Sequence, residues 1–356
     1  MDGLNAPGIS TGTSNSSGAR SPENQAANRQ PETPDVSVVI VSFNTRDLLR
    51  ECLNTLYRES GGVTFETIVV DNNSRDNSAD MIAEEFPDVR LIRSDTNLGF
   101  GVANNRAFAI AKGRYIVLLN SDAFVKPGVL QLSIEHMDQN PRVALAGGRL
   151  VGRDGSWQPS ARMFPSYLND LLIMTGLSDR YPKSRFFGRV DQTFVDQSLP
   201  MPTDWVPGAY SIIRRETLEN IGYFDSKFFL YYEEVDLCRR FKMAGYDVWY
   251  WPDITVVHLG GESSKTVKNL QLAGLQLTKW RMRSRLIYFR KHHGAFGVWL
   301  AMQMEKWWIA LRVARNLASR SEERRARAAG FRSTLATLTE AWTDTRGGRT
   351  SPPQPW

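Results

Sequence analysis

Three segments of the chain carry an apolar or aromatic run straight into carboxylates. Phe65–Val70 leads to Asp71, Ile116–Leu119 to Asn120-Ser121-Asp122, and the aromatic run Phe228–Tyr232 to Glu233, Glu234 and Asp236. A histidine, His258, follows a fourth run, Thr255–Val257. In open α/β sheets, ligands sit outside the carboxyl ends of the strands, so a metal or ligand is expected beside such acids. A divalent cation holding a diphosphate needs only one or two carboxylates besides phosphate oxygens. A histidine ligand moves the choice toward Mn²⁺, with Mg²⁺ still open. Each residue also has a plainer reading. Asp71, with Asn72, Asn73 and Ser74 behind it, is turn chemistry as readily as a partner for a base or ribose. Asp122 alone reads as a turn residue, and His258 alone as a hydrogen-bonded surface histidine. Negative charge at a helix N-terminus accounts for two of the acids after Tyr232, but not for three within four positions.

The elements that must position these residues are readable from periodicity. Val36–Val41 is a short β-branched run and predicts a buried strand. Asp47–Tyr57 predicts a helix, with Leu48, Leu49, Cys52, Leu53 and Leu56 on one face. Phe65–Val70 predicts a strand, Asn77–Phe86 a helix, Val89–Ile92 a strand, Asn97–Gly101 a glycine loop and Val102–Ala111 a helix. Ile116–Leu119, apolar throughout, fits a strand buried on both faces. Pro127–Gln139 predicts a helix and Val143–Gly148 a strand. Strands alternating with helices imply βαβ units and a parallel sheet. From about 152 to 201 the periodicity weakens, and irregular loops with short helices are expected to form one wall of a cleft. Then follow a strand at Ser211–Arg214, a helix at Glu216–Ile221, a helix from Tyr231 to Gly245, and short strands at Asp247–Trp251 and Thr255–Val257.

Composition narrows the class without naming it. The 356 residues are 42% hydrophobic and 23% charged, which is ordinary for a globular chain with a sizeable core. The net charge of +6 would suit anionic membrane or phosphorylated ligands. The two cysteines, Cys52 and Cys238, have no metal-ligand spacing and suit a reducing compartment. No signal peptide and no spanning helix are expected, since no 18-residue stretch lacks charge. Gly99-Phe-Gly101-Val-Ala-Asn104 only approaches a dinucleotide fingerprint: its last glycine is missing and a loop precedes it.

Taken together, Val39-Ile-Val-Ser-Phe-Asn44, Ile68-Val-Val-Asp71-Asn-Asn-Ser74, Asn97-Leu-Gly-Phe-Gly101 with Asn104-Asn105, Leu118-Leu-Asn-Ser-Asp122, Trp205-Val-Pro-Gly-Ala209, Gly222-Tyr-Phe-Asp225, Phe229–Cys238 and Val257-His258 resemble the family 2 glycosyltransferases. The bacterial rhamnosyltransferase-like subgroup is nearest. The resemblance implies an α/β GT-A fold, with a mostly parallel central sheet flanked by helices and a C-terminal helical extension. It implies a catalytic domain over 35–265, while composition reads 1–34, rich in Ser, Gly, Asn and Pro, as a disordered tail, and the pattern reads 266–342 as a helical extension and 343–356 as a second tail. The nucleotide-sugar half would span about 35–150 and the acceptor half about 151–265.

The activity implied is inverting transfer of a sugar, rhamnose favoured, from a nucleoside-diphosphate sugar to a hydroxyl of a cell-surface glycan or lipid-linked saccharide. Glu234 takes the position of the general base, with Glu233 or Asp236 able to share it. Asp122 and His258 take the metal positions, for Mg²⁺ or Mn²⁺. Ser42, Asn44, Asp71, Asn73, Asn97, Gly99, Asn104, Asn120, Ser121 and Gly208 fall in the nucleotide-sugar-binding segments. Two departures stand out. The metal motif reads Asn120-Ser121-Asp122, with an amide for its first acid, and the base motif reads Glu-Glu where the family has Glu-Asp.

Two other function classes fit parts of the pattern. A sugar nucleotidyltransferase would carry a glycine-rich phosphate loop after the first strand, where this chain has Ser42-Phe-Asn-Thr45. A non-catalytic nucleotide- or glycan-binding module would leave the acids idle. Nucleic acid is not an expected partner, because an acidic cleft repels phosphates. In the C-terminal region Phe296, Leu300, Met304, Trp307, Leu311 and Ala314 share one helical face, with Lys306, Arg312 and Arg320 toward the other. That pattern predicts a peripheral contact with the cytoplasmic face of the membrane, or packing on the catalytic domain.

Overall fold

Val36–Ser42 forms strand β1, its residues alternating between two buried faces. The computed structural model describes residues 33–260 and 270–352, with side chains from 276 in the second span. The tail expected over 1–34 therefore lies outside the described residues, Thr33 and Pro34 apart. After β1 the chain alternates: α1 (Arg46–Glu59), β2 (Phe65–Asp71), α2 (Ser78–Glu85), β3 (Arg90–Arg93), α3 (Gly99–Phe108) and β4 (Tyr115–Leu119). β3, β2, β1 and β4 lie side by side in that order, all parallel. Tyr115, Val117 and Leu119 of β4 join one apolar cluster with Leu49 and Leu53 of α1. Ile116 and Leu118 join the other with Ala103 and Ala107 of α3. A strand covered by helices on both faces has no solvent side, hence the uninterrupted apolar run.

The next elements are β5 (Ala123–Val125), α4 (Val129–Gln139), β6 (Val143–Val151), β7 (Trp157–Gln158), α5 (Tyr167–Thr175), α6 (Leu177–Arg180), β8 (Met201–Pro202), β9 (Tyr210–Arg214), α7 (Arg215–Ile221), α8 (Glu233–Met243) and β10 (Asp247–His258). β9 returns from the long excursion after β7 and inserts antiparallel between β4 and β6. β6 and β10 are again parallel. The sheet is thus mixed, parallel through its first four strands and interrupted where no βαβ crossover feeds the strand. The two short strands expected around Pro252 are one strand with a register shift between Trp251 and Thr255. A proline cannot donate to a ladder, so it sits at the irregularity. β5 pairs antiparallel with the end of β10, setting Ala123 opposite His258.

Two long helices complete the fold: α9 (Leu270–Leu317) and α10 (Glu322–Asp344). α9 bends at Gly294, whose φ of 73° and ψ of −170° lie in a region open only to glycine. The arm before the bend buries Met282, Leu286, Tyr288 and Phe289 in a cluster shared with Phe228 and Val235 of the catalytic region. Arg285 anchors it, pairing with Asp170 of α5 at 2.6 Å and with Glu305 of the second arm at 2.7 Å. The second arm buries Val298, Ala301, Met302 and Ile309 but leaves Phe296, Trp299, Trp307 and Leu311 exposed, at 71%, 48%, 74% and 59%. Of the stripe read from the sequence, Phe296, Trp307 and Leu311 thus face outward and Leu300 and Met304 are half-buried, while the packing is done by the other side. Among the described residues no helix is long and apolar enough to cross a membrane. Residues 345–350, read from sequence as tail, turn back on Thr345, which is fully buried, and bring Gly348 against the backbone of Leu286.

Candidate active site

β5 begins just after β4 and pairs with the end of β10, which brings the chain after β4 up to His258. His258 Nε2 lies 3.6 Å from Asp122 Oδ1 and 3.5 Å from Asn120 Nδ2. Gln158 Nε2 donates to the His258 carbonyl at 2.7 Å, which turns its Oε1 toward His258 Nδ1 at 2.9 Å. Oε1 can only accept, so Nδ1 carries the proton and the neutral ring turns its Nε2 lone pair toward Asp122. Burial lowers the pKa of His258, with Asp122 opposing the shift, so the ring is held neutral as a metal ligand must be. Among the described residues no three His, Cys, Asp or Glu side chains gather to hold a metal. Asp122 and His258 offer two ligands, and a cation there would draw the rest from phosphate or water.

A relay of hydroxyls runs beneath the same strand ends. Thr45 Oγ1 donates to Ser121 Oγ at 2.9 Å, so Ser42, 3.1 Å from Thr45, must be the donor to it. The Ser121 proton is then left to point onward, and Ser121 lines the cleft. On the β2 side, Asp71 Oδ2 accepts from Ser74 N–H at 3.1 Å, while Asp71 Oδ1 is buried without a partner. Asn44 accepts from the Arg75 N–H at 2.7 Å and donates its own N–H to Ser74, clamping this turn.

The glycine loop is built around one close approach. Gly99 has φ +78°, and a Cβ there would lie 2.1 Å from the Phe229 carbonyl. That carbonyl accepts from Phe100 N–H at 2.8 Å, fastening α3 to the segment before α8. Asn97 accepts from Gly99 N–H at 2.9 Å and from Asn72 Nδ2 at 3.0 Å, and Asn72 accepts from Leu98 N–H at 2.8 Å. The loop is thus held by amide side chains that also line the cleft.

Glu233 and Glu234 open α8 after two residues, Tyr231 and Tyr232, with φ of 68° and 71°. Left-handed backbone at two successive tyrosines is strained. It explains why the helix starts at Glu233 and not at Tyr231, and it aims the first turn at the cleft. Both glutamates line the cleft, and each has a buried Oε2 without a hydrogen-bond partner. Burial raises the pKa of both, and the charge of Glu234 adds to the rise at Glu233. Arg162 and Arg281 partly offset the rise at Glu234. The arrangement favours one shared proton, with Glu233 holding it and Glu234 ionised.

Asp236 needs correction as a sharer of the base role. It faces away from the cleft and is fully buried among Arg240 at 2.9 Å, Lys291 at 2.8 Å and His292 at 2.7 Å. Burial alone would raise its pKa, but the hydrogen bond from His292, then Lys291 and Arg240, hold it at about 2. A carboxylate so fully engaged is a poor proton acceptor. It ties α8 to α9.

The cleft, about 320 Å³, gathers nine of the residues singled out in the sequence: Asn97, Gly99, Asn120, Ser121, Asp122, Gly208, Glu233, Glu234 and His258. Ser42, Asn44, Asp71 and Asn73 are not among its lining residues, and Asn104 donates to the Phe100 carbonyl inside α3 at 2.9 Å. Several lining residues were not named as site residues from the sequence, although some lie inside the quoted segments. Phe43, Phe100 and Leu230 are apolar and carry no chemical signature. Gln158, which orients His258 from outside the lining, was missed as well, because it sits in a two-residue strand with no periodicity. Leu277 comes from α9, and its neighbour Trp280 packs on Phe229 with ring centroids 4.4 Å apart. The extension thus forms part of the cleft, which an amphipathic pattern alone could not reveal.

The sequence pattern of Glycosyl transferase family 2 matches residues 37–236, more than half of the chain, which therefore belongs to that family. It is a glycosyltransferase. Among its relatives, the N-acetylglucosaminyl-diphospho-decaprenol L-rhamnosyltransferase of Mycobacterium tuberculosis is 26% identical over 280 residues, covering 73% of this chain and 85% of that one. The rhamnosyltransferase WbbL of Escherichia coli is 24% identical over 268 residues, 72% of this chain and 93% of its own. The structure is similar to a mannosyltransferase from Pyrobaculum calidifontis in complex with GDP-Man and Mn²⁺, with a TM-score of 0.53 and 19% identity over 89% of this chain and 88% of that one. The last likeness is one of fold, the GT-A arrangement expected from the sequence.

Proposed function

We propose that the enzyme moves a sugar, rhamnose favoured, from a nucleoside-diphosphate donor to a hydroxyl of a cell-surface glycan or lipid-linked saccharide, with inversion. The observation that carries this reading is the pair Glu233 and Glu234, with unpartnered buried oxygens, in one cleft with Asp122 and His258. Glu234, ionised, takes the proton of the attacking hydroxyl. Glu233, protonated beside it, keeps the pair at a single negative charge. A positioned base of this kind contributes ~10²–10⁴-fold. Asp122 and His258 Nε2 would hold Mg²⁺ or Mn²⁺, which when bound stabilises the charge developing on the leaving diphosphate. Ser121, last in the hydroxyl relay, is left with a proton to donate to the same phosphates. Asp71 Oδ1, buried without a partner, suits a ring N–H or a ribose hydroxyl of the donor.

In this reading residues 35–150 form the donor half, 151–265 the acceptor half, and 266–342 an extension that rests on the cytoplasmic face of the membrane. The relatives named for rhamnosyl transfer support rhamnose, and the name of the mycobacterial one supports a lipid-linked acceptor. The test is a donor screen, dTDP-rhamnose among the candidates, reading nucleoside diphosphate release with Mg²⁺ or Mn²⁺. Glu234→Gln and Asp122→Ala are expected to abolish transfer while the fold persists by circular dichroism. Full activity in either folded variant would overturn the assignment.

A further inference from the structure

A second cavity, about 420 Å³, shares no lining residue with the cleft. It lies between the start of α5, the outer side of α8 and the bend of α9. Its charge is lopsided. Arg189, Arg239 and Lys242 meet one carboxylate, Asp204, which already accepts from Lys242 Nζ at 2.8 Å and from Phe164 N–H at 2.9 Å. Arg239 donates to Tyr288 Oη at 2.8 Å and to His293 Nε2 at 3.2 Å, partners that leave its charge uncompensated. Arg189 makes no ion pair among the described residues, and its Nε is buried without a hydrogen-bond partner. Asn169, 2% exposed, supplies the opposite need. Its Nδ2 donates to the Phe164 carbonyl at 2.8 Å, which fixes the amide and leaves Oδ1 buried without a donor.

These unmet groups define a ligand. The guanidinium N–H groups want an anion, and the Asn169 oxygen wants a hydroxyl or N–H. A bare phosphate or carboxylate satisfies only the first. We propose that this cavity binds an anionic sugar unit, a hexose carrying a phosphate or a carboxylate. The charged group pairs with Arg189 and Arg239, and a ring hydroxyl donates to Asn169 Oδ1. Arg239 and Lys242 both lie over the Phe164 ring, 5.7 and 5.8 Å from its centre, which gathers the cations at one wall. The site stands on its own geometry. It rests on the proposed function only in that a saccharide acceptor could supply such a unit.

The test is calorimetric titration of the full chain with glucuronic acid, glucose 6-phosphate, glucose and inorganic phosphate, each with and without UDP. The charged sugars are expected to bind, with glucose and phosphate weaker by about tenfold or more, the loss of one charge-assisted contact. Arg189→Gln should weaken the charged sugars by a similar factor, with partial recovery in Arg189→Lys. Equal binding of glucose, indifference to Arg189→Gln, or competition by UDP would overturn the site. Tighter binding of a glucuronate-containing oligosaccharide than of the free monosaccharide assigns the unit to a glycan, and the reverse assigns it to a free metabolite. Donor turnover in Arg189→Gln should be unchanged. The cleft's function is read separately by Glu234→Gln, so either idea can fail alone.

Discussion

Glu233 and Glu234 share a charge problem that Asp236, two residues on, has solved, and the contrast yields opposite pH behaviour. The raised pKa of Glu234 means that the acid limb of kcat should lie above the ordinary glutamate range of ~4.3. A pH–rate profile of the wild type with its limb at or below that value would refute this. Glu233 is also raised, so the stability it contributes is complete below its unfolded pKa and is lost as pH rises through the folded one. Glu233→Gln should therefore raise the Tm at neutral pH, where the native acid is held protonated in a site that resists its charge. Asp236 runs the other way. Its folded pKa of about 2 gives stability that is present above the unfolded value and lost as pH falls toward 2. Asp236→Asn strands Arg240, Lys291 and His292 around a neutral group and should cost roughly 3–5 kcal/mol in urea unfolding, with no change in the acid limb. The acids were legible as a cluster, because three in four positions is unusual. Their division of labour was not, since it depends on which face of α8 meets α9, and the sequence does not print the partner.

The strands and helices of the first half were legible because each obeys one period. β1, β2 and β4 have helices on both faces and are rich in β-branched and apolar residues, β4 without a polar interruption; α1 shows a single buried face. What failed to read were the elements whose identity is fixed by partners. β5 is a strand of three residues, formed because β10 pairs with it. α3 starts at Gly99, earlier than the apolar pattern, because the Phe229 carbonyl catches the Phe100 N–H. The same dependence governs α9. Arg285 bridges Asp170 and Glu305 in a nearly buried triad that joins α5 to both arms. Arg285→Ala leaves two buried carboxylates without their cation and should cost roughly 3–5 kcal/mol. Thermal unfolding checks it, and a change under 1 kcal/mol would mean that apolar packing alone holds the arms.

Over the whole molecule, α9 plays two roles that its sequence suggests only one of. Leu277 and Trp280, before the bend, build the cleft, while Phe296, Trp299, Trp307 and Leu311, beyond it, face outward. Trp and Phe on an amphipathic face, with basic residues at its edges, suit a lipid interface. Phe296→Gln with Trp307→Gln should reduce co-sedimentation with anionic liposomes several-fold while leaving turnover of a water-soluble acceptor intact. Removing the arm outright is a poorer test, since its other side is buried in the core. Equal pelleting of the substituted and native proteins would dismiss the membrane. Because the Arg285 triad holds both arms on either side of the Gly294 bend, the helix acts as a spacer of set height. With its outer arm lying on a bilayer, Glu233 and Glu234 would stand at one distance from the lipid surface. Only hydroxyls carried that far from their anchor would meet Glu234, so reach, as well as chemical identity, would select the acceptor.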